Sequence, residues 1–196
     1  MRLYWNAYSR ATRPRWLIEE AGIPCEIVNV DMRAGEHKTD AYRAIHPHGK
    51  VPALVDGDTT IFESAAITLY LADNTALAPA PGTTARGLYY QWAFWSMVTL
   101  EPQVVVLAAQ GRKSAEEQDK AALAEATERY QECLRVLTPV IASRTWVLGD
   151  TFSAADVLLV SILAWAGAMK LNVGFPEIEA YVARGKARPG FDRARK

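Results

Sequence analysis

The sequence has few cysteines and no excess of charge of either sign. Its 196 residues contain two cysteines, Cys25 and Cys133, too few for a disulfide framework or a four-ligand zinc site. Since 22 Lys and Arg residues balance 22 Asp and Glu residues, the basic excess typical of nucleic-acid-binding proteins is missing. No run of about 18 uninterrupted apolar residues suggests a membrane span, and the opening residues 1–10 lack the apolar core of an export signal. We therefore predict a reduced, soluble, cytoplasmic protein that binds neither nucleic acid nor membrane.

The composition is that of a folded chain. Half of the residues are hydrophobic and 22% are charged, whereas disordered chains combine low hydrophobicity with high net charge. The length suits one large domain or two small ones. The balance of charge is the unusual feature, because a net charge near zero favours self-association.

The first 75 residues mix short strands with helices. Residues 2–6 and 26–30 are predicted strands, separated by a helix that ends at Gly22. The Asp56-Gly57 pair indicates a β-hairpin, and residues 64–72 have helical composition. The predicted order is strand, helix, strand, helix, β-hairpin and helix.

The remainder is predicted to be entirely helical. A linker rich in proline, residues 76–84, separates domain 1–75 from domain 85–196. We predict three long helices here, over residues 86–109, 114–141 and 153–169, the first with a bend near Glu101-Pro102. Residues 184–196 are predicted to form a short, basic, frayed tail.

Two of these helices carry a predicted N-terminal capping box. Ser114 and Glu117 have the required spacing at the start of the second helix. Ser153 and Asp156 repeat it at the start of the third, which is apolar all round and therefore belongs at the centre of a helical bundle.

Three local features of the first 75 residues point to a binding site. The loop of residues 7–13 places hydroxyl groups and arginines at a helix N-terminus, which favours an anion or a thiolate. In the segment 48–54, Val51-Pro52 is a candidate cis peptide in a tight turn that leaves the Val51 main chain free to pair with an extended, peptide-like ligand. Glu63 before a helix and Ser64 as its N-cap suit the ammonium and carboxylate groups of a zwitterion.

These motifs resemble those of a known family. The run SRATRPRWLIEEAGIP, the segment HPHGKVPALVDGDTTIFESAAITLYLAD and the motif GDTFSAADVLL are similar, in this order, to the corresponding segments of bacterial glutathione transferases. The resemblance covers nearly the whole chain. It implies a thioredoxin-like βαβαββα domain followed by an all-helical domain, usually in a homodimer.

The resemblance also implies roles for individual residues. Val51, followed by Pro52, would pair through its main chain with the cysteinyl unit of glutathione, and Lys50 would face the glycyl carboxylate. Glu63 and Ser64 would hold the γ-glutamyl end. The serine equivalent to Ser9 hydrogen-bonds the glutathione sulfur in serine-type members, so that the thiolate can attack a small hydrophobic electrophile.

Alternatives remain open at several of these positions. Tyr8 or Thr12 could replace Ser9 at the sulfur, and Ser9 could be an ordinary turn serine. Lys50 could be merely solvated. Because the loop after the first strand has no cysteine, disulfide exchange through an enzyme thiol is not expected. A metal site is not expected either, because His46 and His48 beside Pro47 are too few ligands.

The second substrate is less constrained. One helix cannot bury the aromatic run Tyr89, Tyr90, Trp92, Phe94 and Trp95 on a single face, so some of these rings are expected to line a cleft for flat apolar electrophiles. A ligand-binding or interaction module of the same fold without turnover, and a glutathione-dependent isomerase or reductase, are the alternatives to a transferase.

Overall fold

The computed structural model describes residues 1–196 and contains two compact units. The first comprises Met1–Ala78 together with Lys186–Lys196, and the second comprises Pro79–Gly185. The expected architecture, a thioredoxin-like domain and an all-helical domain, is confirmed.

The first unit is built on a four-stranded sheet in the order β2-β1-β3-β4. β1 runs parallel to β2 and antiparallel to β3, and β4 runs antiparallel to β3. The elements of this unit are β1 (Arg2–Trp5), α1 (Thr12–Ala21), β2 (Glu26–Asn29), a 3-10 turn (Glu36–Lys38), α2 (Asp40–Arg43), β3 (Ala53–Asp56), β4 (Thr59–Phe62), α3 (Ser64–Ala72) and the C-terminal α9 (Pro189–Arg193).

Local sequence explains several of these boundaries. Leu3 and Trp5, on one face of β1, are buried, as the alternation of a half-buried strand requires. Gly22 ends α1 in the left-handed region at φ 64°, and its N–H bonds to the carbonyl of Ile18. Gly57, at φ 57°, forms the predicted turn between β3 and β4.

The C-terminal segment is not frayed, contrary to prediction. α9 packs against α1, with the ring of Phe191 edge-on to Trp16 at 5.0 Å between centroids. Arg188 donates to the Glu20 carboxylate, and Arg193 donates to Glu19. The basic tail is therefore neutralised by acidic side chains of α1, far away in the sequence.

The second unit consists of helices. Its elements are α4 (Thr84–Trp95), a π-helical segment (Ser96–Leu100), α5 (Glu101–Gln110), α6 (Lys120–Ala142), α7 (Ala154–Ala168) and α8 (Pro176–Lys186). The irregularity predicted near Glu101-Pro102 is present, as the π-helical segment that ends just before Glu101. Because proline lacks an N–H and crowds the preceding turn, a break in the α-helical ladder is expected there.

The predicted start of the next helix is wrong. Glu117 does accept hydrogen bonds from the N–H and the hydroxyl of Ser114, but no helix continues from that turn. α6 begins at Lys120 instead, where Asp119 is the N-cap and its carboxylate accepts from the N–H of Ala122 at 3.0 Å.

The predicted capping box of α7 is confirmed. Ser153 is the N-cap and Asp156 bonds back to its N–H at 2.9 Å. The buried Asp156 carboxylate also accepts from the N–H of Val147 and from the hydroxyl of Tyr181, at 2.8 and 2.6 Å. Four donors, counting the Ser153 hydroxyl, thus compensate the burial of this acid.

The continuous helix Thr84–Gln110 is long and apolar enough, by length and composition alone, to cross a membrane. Its most apolar window has a mean hydropathy of 1.3. Core helices of soluble proteins meet the same criterion, and here α4 packs against α7 while Tyr89, Trp92 and Ala93 are buried. The length and composition of this helix are therefore weak evidence for a membrane span.

Candidate functional site

Three segments emerge at one end of the sheet. Ala53, the first residue of β3, pairs with Tyr4 near the carboxyl end of β1 and with Phe62 at the end of β4. Consequently the loop after β1, the turn before β3 and the corner after β4 all lie at this end. They contain every candidate site residue predicted from the sequence, namely Ser9, Lys50, Val51, Pro52, Glu63 and Ser64.

The side chain of Asn6 organises the loop after β1. Its amide nitrogen donates to the carbonyl of Val30 at 3.2 Å, and its amide oxygen accepts from the N–H of Tyr8 at 3.2 Å. Asn6 is not among the residues predicted from the sequence, although asparagine after a strand is a recognised signal for such a turn.

Ser9 lies half-buried at the entrance to α1. Its hydroxyl donates to the carbonyl of Asn6 at 2.7 Å and accepts from the N–H of Ala11 at 3.1 Å. The hydroxyl of Thr12 donates to the Ser9 carbonyl at 3.1 Å, whereas the side chain of Tyr8 is 97% exposed. Of the three candidate hydroxyl groups, Ser9 and Thr12 are held at the helix N-terminus and Tyr8 extends into solvent.

The turn before β3 has the predicted cis peptide between Val51 and Pro52. Gly49 adopts φ 56°, and a Cβ atom there would lie 2.5 Å from the carbonyl oxygen of His37, so glycine is required. Lys50 is exposed. The N–H and the C=O of Val51 make no hydrogen bond within the chain, which leaves both available to a ligand.

The corner between β4 and α3 differs from the prediction for Ser64. Ser64 is the first residue of α3 and not its N-cap; Glu63 is the N-cap, and its side chain makes no capping bond. The Ser64 hydroxyl instead accepts a hydrogen bond from Arg13 of α1 at 3.3 Å. The sequence predicts arginines at the N-terminus of α1 but not this contact with α3, because the two residues are 51 positions apart.

The backbone of Glu63 is strained. Its φ of 74° and ψ of 115° lie in a region that residues with a side chain rarely adopt. Such strain has a free-energy cost of about 1–3 kcal/mol and is concentrated at functional sites. The Glu63 carboxylate is exposed next to the buried Ser64 hydroxyl.

A buried guanidinium adds positive charge at this corner. The side chain of Arg13 is only 3% exposed, and Ser64 is 4% exposed. An arginine directed at a hydroxyl at the start of a helix is well suited to bind a carboxylate, since the helix dipole favours the same charge. Glu63 beside it is suited to an ammonium group.

His46 is a further buried group beside the site. Its ring packs against Phe62 at 5.1 Å and against His48 at 6.1 Å between centroids. Burial lowers the pKa of His46, as do His48 and Lys50, while Glu63 acts in the opposite direction. No functional role for this histidine is predicted from the sequence.

The two cysteines lie outside the site. Cys25 precedes β2, which runs parallel to β1, and so lies at the opposite end of the sheet. Cys133 lies in α6 of the second unit. Burial raises the pKa of both thiols, which makes them poor nucleophiles.

In the second unit the aromatic run is only partly buried. Tyr89 and Trp92 are buried, Trp95 is half-buried, and Tyr90 and Phe94 are exposed. The expectation that α4 cannot bury all five rings is confirmed. The rings of Tyr90 and Phe94 are therefore available for contacts with other molecules.

Comparison with known proteins gives matches over both units. Residues 2–73 match the family model of the glutathione S-transferase N-terminal domain, and residues 90–189 match that of its C-terminal domain. A glutathione S-transferase of Hyoscyamus muticus is 29% identical, covering 99% of this chain and 97% of the relative. The disulfide-bond oxidoreductase YfcG of Escherichia coli is 28% identical, with coverage of 98% and 93%. The crystal structure of a glutathione transferase family member from Pseudomonas fluorescens, with two glutathione molecules bound, superposes with a TM-score of 0.87 at 25% identity and covers 98% of this chain and 91% of that one.

Proposed function

The chain belongs to the glutathione S-transferase family, and from this we propose that it activates the thiol of glutathione for attack on small hydrophobic electrophiles. The observation that carries the proposal is the placement of the unpaired Val51 main chain, the Glu63-Ser64 corner and the Ser9 hydroxyl at one end of the sheet. Each of these features matches a different part of the tripeptide.

The peptide part of glutathione would pair with the turn before β3. The Val51 N–H and C=O bind the cysteinyl unit in the manner of an added strand. Lys50 faces the glycyl carboxylate. The γ-glutamyl carboxylate binds at Ser64, where Arg13 supplies charge, and its ammonium group binds at Glu63.

The thiol would lie at the start of α1, near Ser9. The free thiol has a pKa of about 8.5 or slightly above. A hydrogen bond to a charged acceptor contributes about 1.5–3 kcal/mol, equivalent to about one to two pKa units, so a bond from Ser9 makes the thiolate the dominant form near neutral pH. The thiolate then attacks an aryl or alkyl halide and expels the halide ion, or adds to an activated double bond.

The electrophile would contact aromatic side chains of α4. Tyr90 and Phe94 present exposed rings there, which suits a flat apolar substrate and supplies no polar group that would select one compound.

We further propose that the protein is a cytoplasmic homodimer. Val98 and Val105 leave an exposed apolar stripe along the π-helical segment and α5, with a spacing of seven residues. Exposed apolar area of this kind marks contact surfaces. The balanced charge of the chain provides no repulsion between copies.

A glutathione-dependent reductase is the second candidate, favoured by the similarity to YfcG. In that reaction bound glutathione thiolate attacks a sulfur of a disulfide substrate, a mixed disulfide forms and a thiolate leaves. No enzyme thiol is needed, consistent with the position of both cysteines outside the site.

Calorimetry with glutathione, followed by turnover assays, tests these proposals. Binding together with conjugation of 1-chloro-2,4-dinitrobenzene supports the transferase, and turnover of hydroxyethyl disulfide alone supports the reductase. Binding without turnover across a panel of electrophiles and disulfides supports a ligand-binding module. Absence of glutathione binding contradicts both the transferase and the reductase.

Sedimentation tests the dimer. At micromolar concentration we expect a dimer, which Val98→Glu dissociates because it places a charge in the apolar stripe. Val173→Glu is the matched control, since Val173 is equally exposed but lies outside these helices. A wild-type monomer, or equal dissociation by both variants, contradicts the proposal.

A further inference from the structure

Tyr42 connects the short helix α2 to the turn before β3. Its hydroxyl donates to the backbone carbonyl of Lys50 at 2.8 Å, and its side chain is 5% exposed. The ring packs edge-on against Tyr4 of β1, at 5.8 Å between centroids. Burial raises the pKa of Tyr42, so the hydroxyl remains a donor over the whole neutral range.

The bond to Lys50 has a consequence for the next residue. The carbonyl of Lys50 and the N–H of Val51 belong to one planar peptide group, in which they point in opposite directions because the bond is trans. With the carbonyl directed at Tyr42, the Val51 N–H is directed away from Tyr42. That N–H is the unpaired donor of the candidate site.

We propose that Tyr42 is a positioning residue for glutathione: by holding the Lys50 carbonyl, it fixes the orientation of the Val51 N–H that receives the cysteinyl unit. The inference rests on the proposed function, because it assigns a ligand to Val51. It adds a side chain that acts on the ligand through the backbone carbonyl of Lys50.

The surroundings of the turn explain why such a support is needed. Pro47, His48 and Lys50 are exposed, so the side chain of Lys50 itself does not anchor its peptide group in the interior. Its other hydrogen bonds are local, such as that from the N–H of Gly49 to the carbonyl of His46 at 2.8 Å. Tyr42 supplies a side-chain bond from the buried interior to the exposed turn.

The substitution Tyr42→Phe tests the proposal, since it removes the hydroxyl and keeps the ring. A neutral hydrogen bond contributes about 0.5–1.5 kcal/mol, so we expect the dissociation constant for glutathione to rise about three- to tenfold. The KM for glutathione should rise in parallel, while kcat at saturating glutathione changes by less than about threefold. Tyr70→Phe is the matched control, because it loses a hydroxyl bond to Asp56 in the same unit.

A second control separates positioning from a general loosening of α2. Thr39 is the N-cap of this helix, and its hydroxyl accepts from the Tyr42 N–H at 3.3 Å. Thr39→Val removes this cap and leaves the Tyr42 hydroxyl in place. If Thr39→Val weakens glutathione binding as much as Tyr42→Phe does, the role of Tyr42 is structural and the proposal is overturned.

Nuclear magnetic resonance of the Val51 amide gives a direct readout. In the wild-type protein, saturating glutathione should shift the Val51 amide proton downfield and slow its exchange, and both effects should be reduced in Tyr42→Phe. Unchanged affinity and an unchanged Val51 resonance in Tyr42→Phe overturn the positioning role and leave the proposed function intact. A wild-type protein that binds no glutathione overturns both.

Discussion

The hydroxyl of Ser9 donates its only proton to the backbone carbonyl of Asn6, across 2.7 Å. The same oxygen accepts from the N–H of Ala11. If Ser9 stabilises a glutathione thiolate, its proton must therefore rotate away from Asn6 and toward the sulfur. The serine is in place before the ligand binds, but its donor is engaged elsewhere.

Replacement of Ser9 by alanine should therefore raise the pKa of bound glutathione by about one to two units, because one charge-assisted hydrogen bond is lost. At neutral pH we expect kcat/KM to fall about ten- to a hundredfold, and the loss should shrink as the pH approaches the pKa of the free thiol. The thiolate absorbance of the complex, titrated against pH, measures the shift.

Ser161→Ala is the control for the loss of a serine hydroxyl, since Ser161 donates only to the Val157 carbonyl within α7. An unaltered titration curve in Ser9→Ala would show that another group contacts the sulfur. Thr12→Val is then the next variant to titrate, because Thr12 is the other hydroxyl held at the start of α1.

Substitutions of Glu63 should separate stability from binding. Glu63→Gly relieves the strained φ of 74°, so the free energy of unfolding should rise by about 1 kcal/mol. Glu63→Gln keeps the strain and removes the charge, so stability should be unchanged. Both should weaken glutathione binding about tenfold or more, because the ammonium group loses its partner.

Urea titrations and calorimetry on the two variants measure these effects. A Glu63→Gly variant that is less stable than the wild type would contradict the assignment of strain. Retention of full glutathione affinity in Glu63→Gln would remove Glu63 from the proposed site.

The unfolding free energy should fall in mildly acid solution because of His46. Burial lowers the pKa of this histidine in the folded state, so the neutral ring is favoured there. Its contribution to stability is complete above the unfolded-state pKa of about 6.5, declines below it, and is lost once the pH has fallen through the folded-state value.

The difference between the stability curves of the wild type and His46→Gln isolates this contribution. We expect the wild type to lose more stability than the variant between about pH 7 and pH 5, where histidine titrates. Parallel stability curves over this interval would show that the pKa of His46 is the same in the folded and unfolded states.

Local patterns were predictable from the sequence, and contacts between distant residues were not. The Ser153-Asp156 capping box is confirmed, and it was predictable because its bonds connect residues only three positions apart. The same spacing at Ser114-Glu117 produces the local bonds but no helix. The α-helix starts three residues beyond Glu117, at Lys120, where Asp119 is the N-cap.

The site shows the same limit. The turn before β3 and the Glu63-Ser64 corner are each continuous in sequence, so the sequence alone predicts them as candidate parts of the site. Ser64 is nevertheless the first residue of α3 and not the predicted N-cap, and its hydroxyl bonds to Arg13 of another helix. Tyr42 was missed for a similar reason, since nothing in the sequence distinguishes a tyrosine that bonds to a backbone carbonyl from one that only packs.

The docked C-terminal segment provides the last prediction. Arg188 donates to the Glu20 carboxylate across a separation of 168 residues, and the Glu20 side chain is only 8% exposed. Removal of one partner from a nearly buried pair leaves the other charge poorly solvated. We therefore expect Arg188→Ala to lower the free energy of unfolding by about 2–3 kcal/mol, and to increase the exposure of Trp16, which now lies fully buried against Phe191.

Arg193→Ala is the matched control in the same helix. Arg193 is half-exposed and pairs with the more accessible Glu19, so its removal should cost less than about 1 kcal/mol. The urea midpoint and the tryptophan emission maximum are measured for both variants. If both variants lose the same amount of stability, the greater burial of the Arg188-Glu20 pair does not make it the more stabilising of the two. α1 also carries Arg13 and begins beside Ser9. Arg188→Ala should therefore weaken glutathione binding as well, because it loosens the contact between the C-terminal segment and α1.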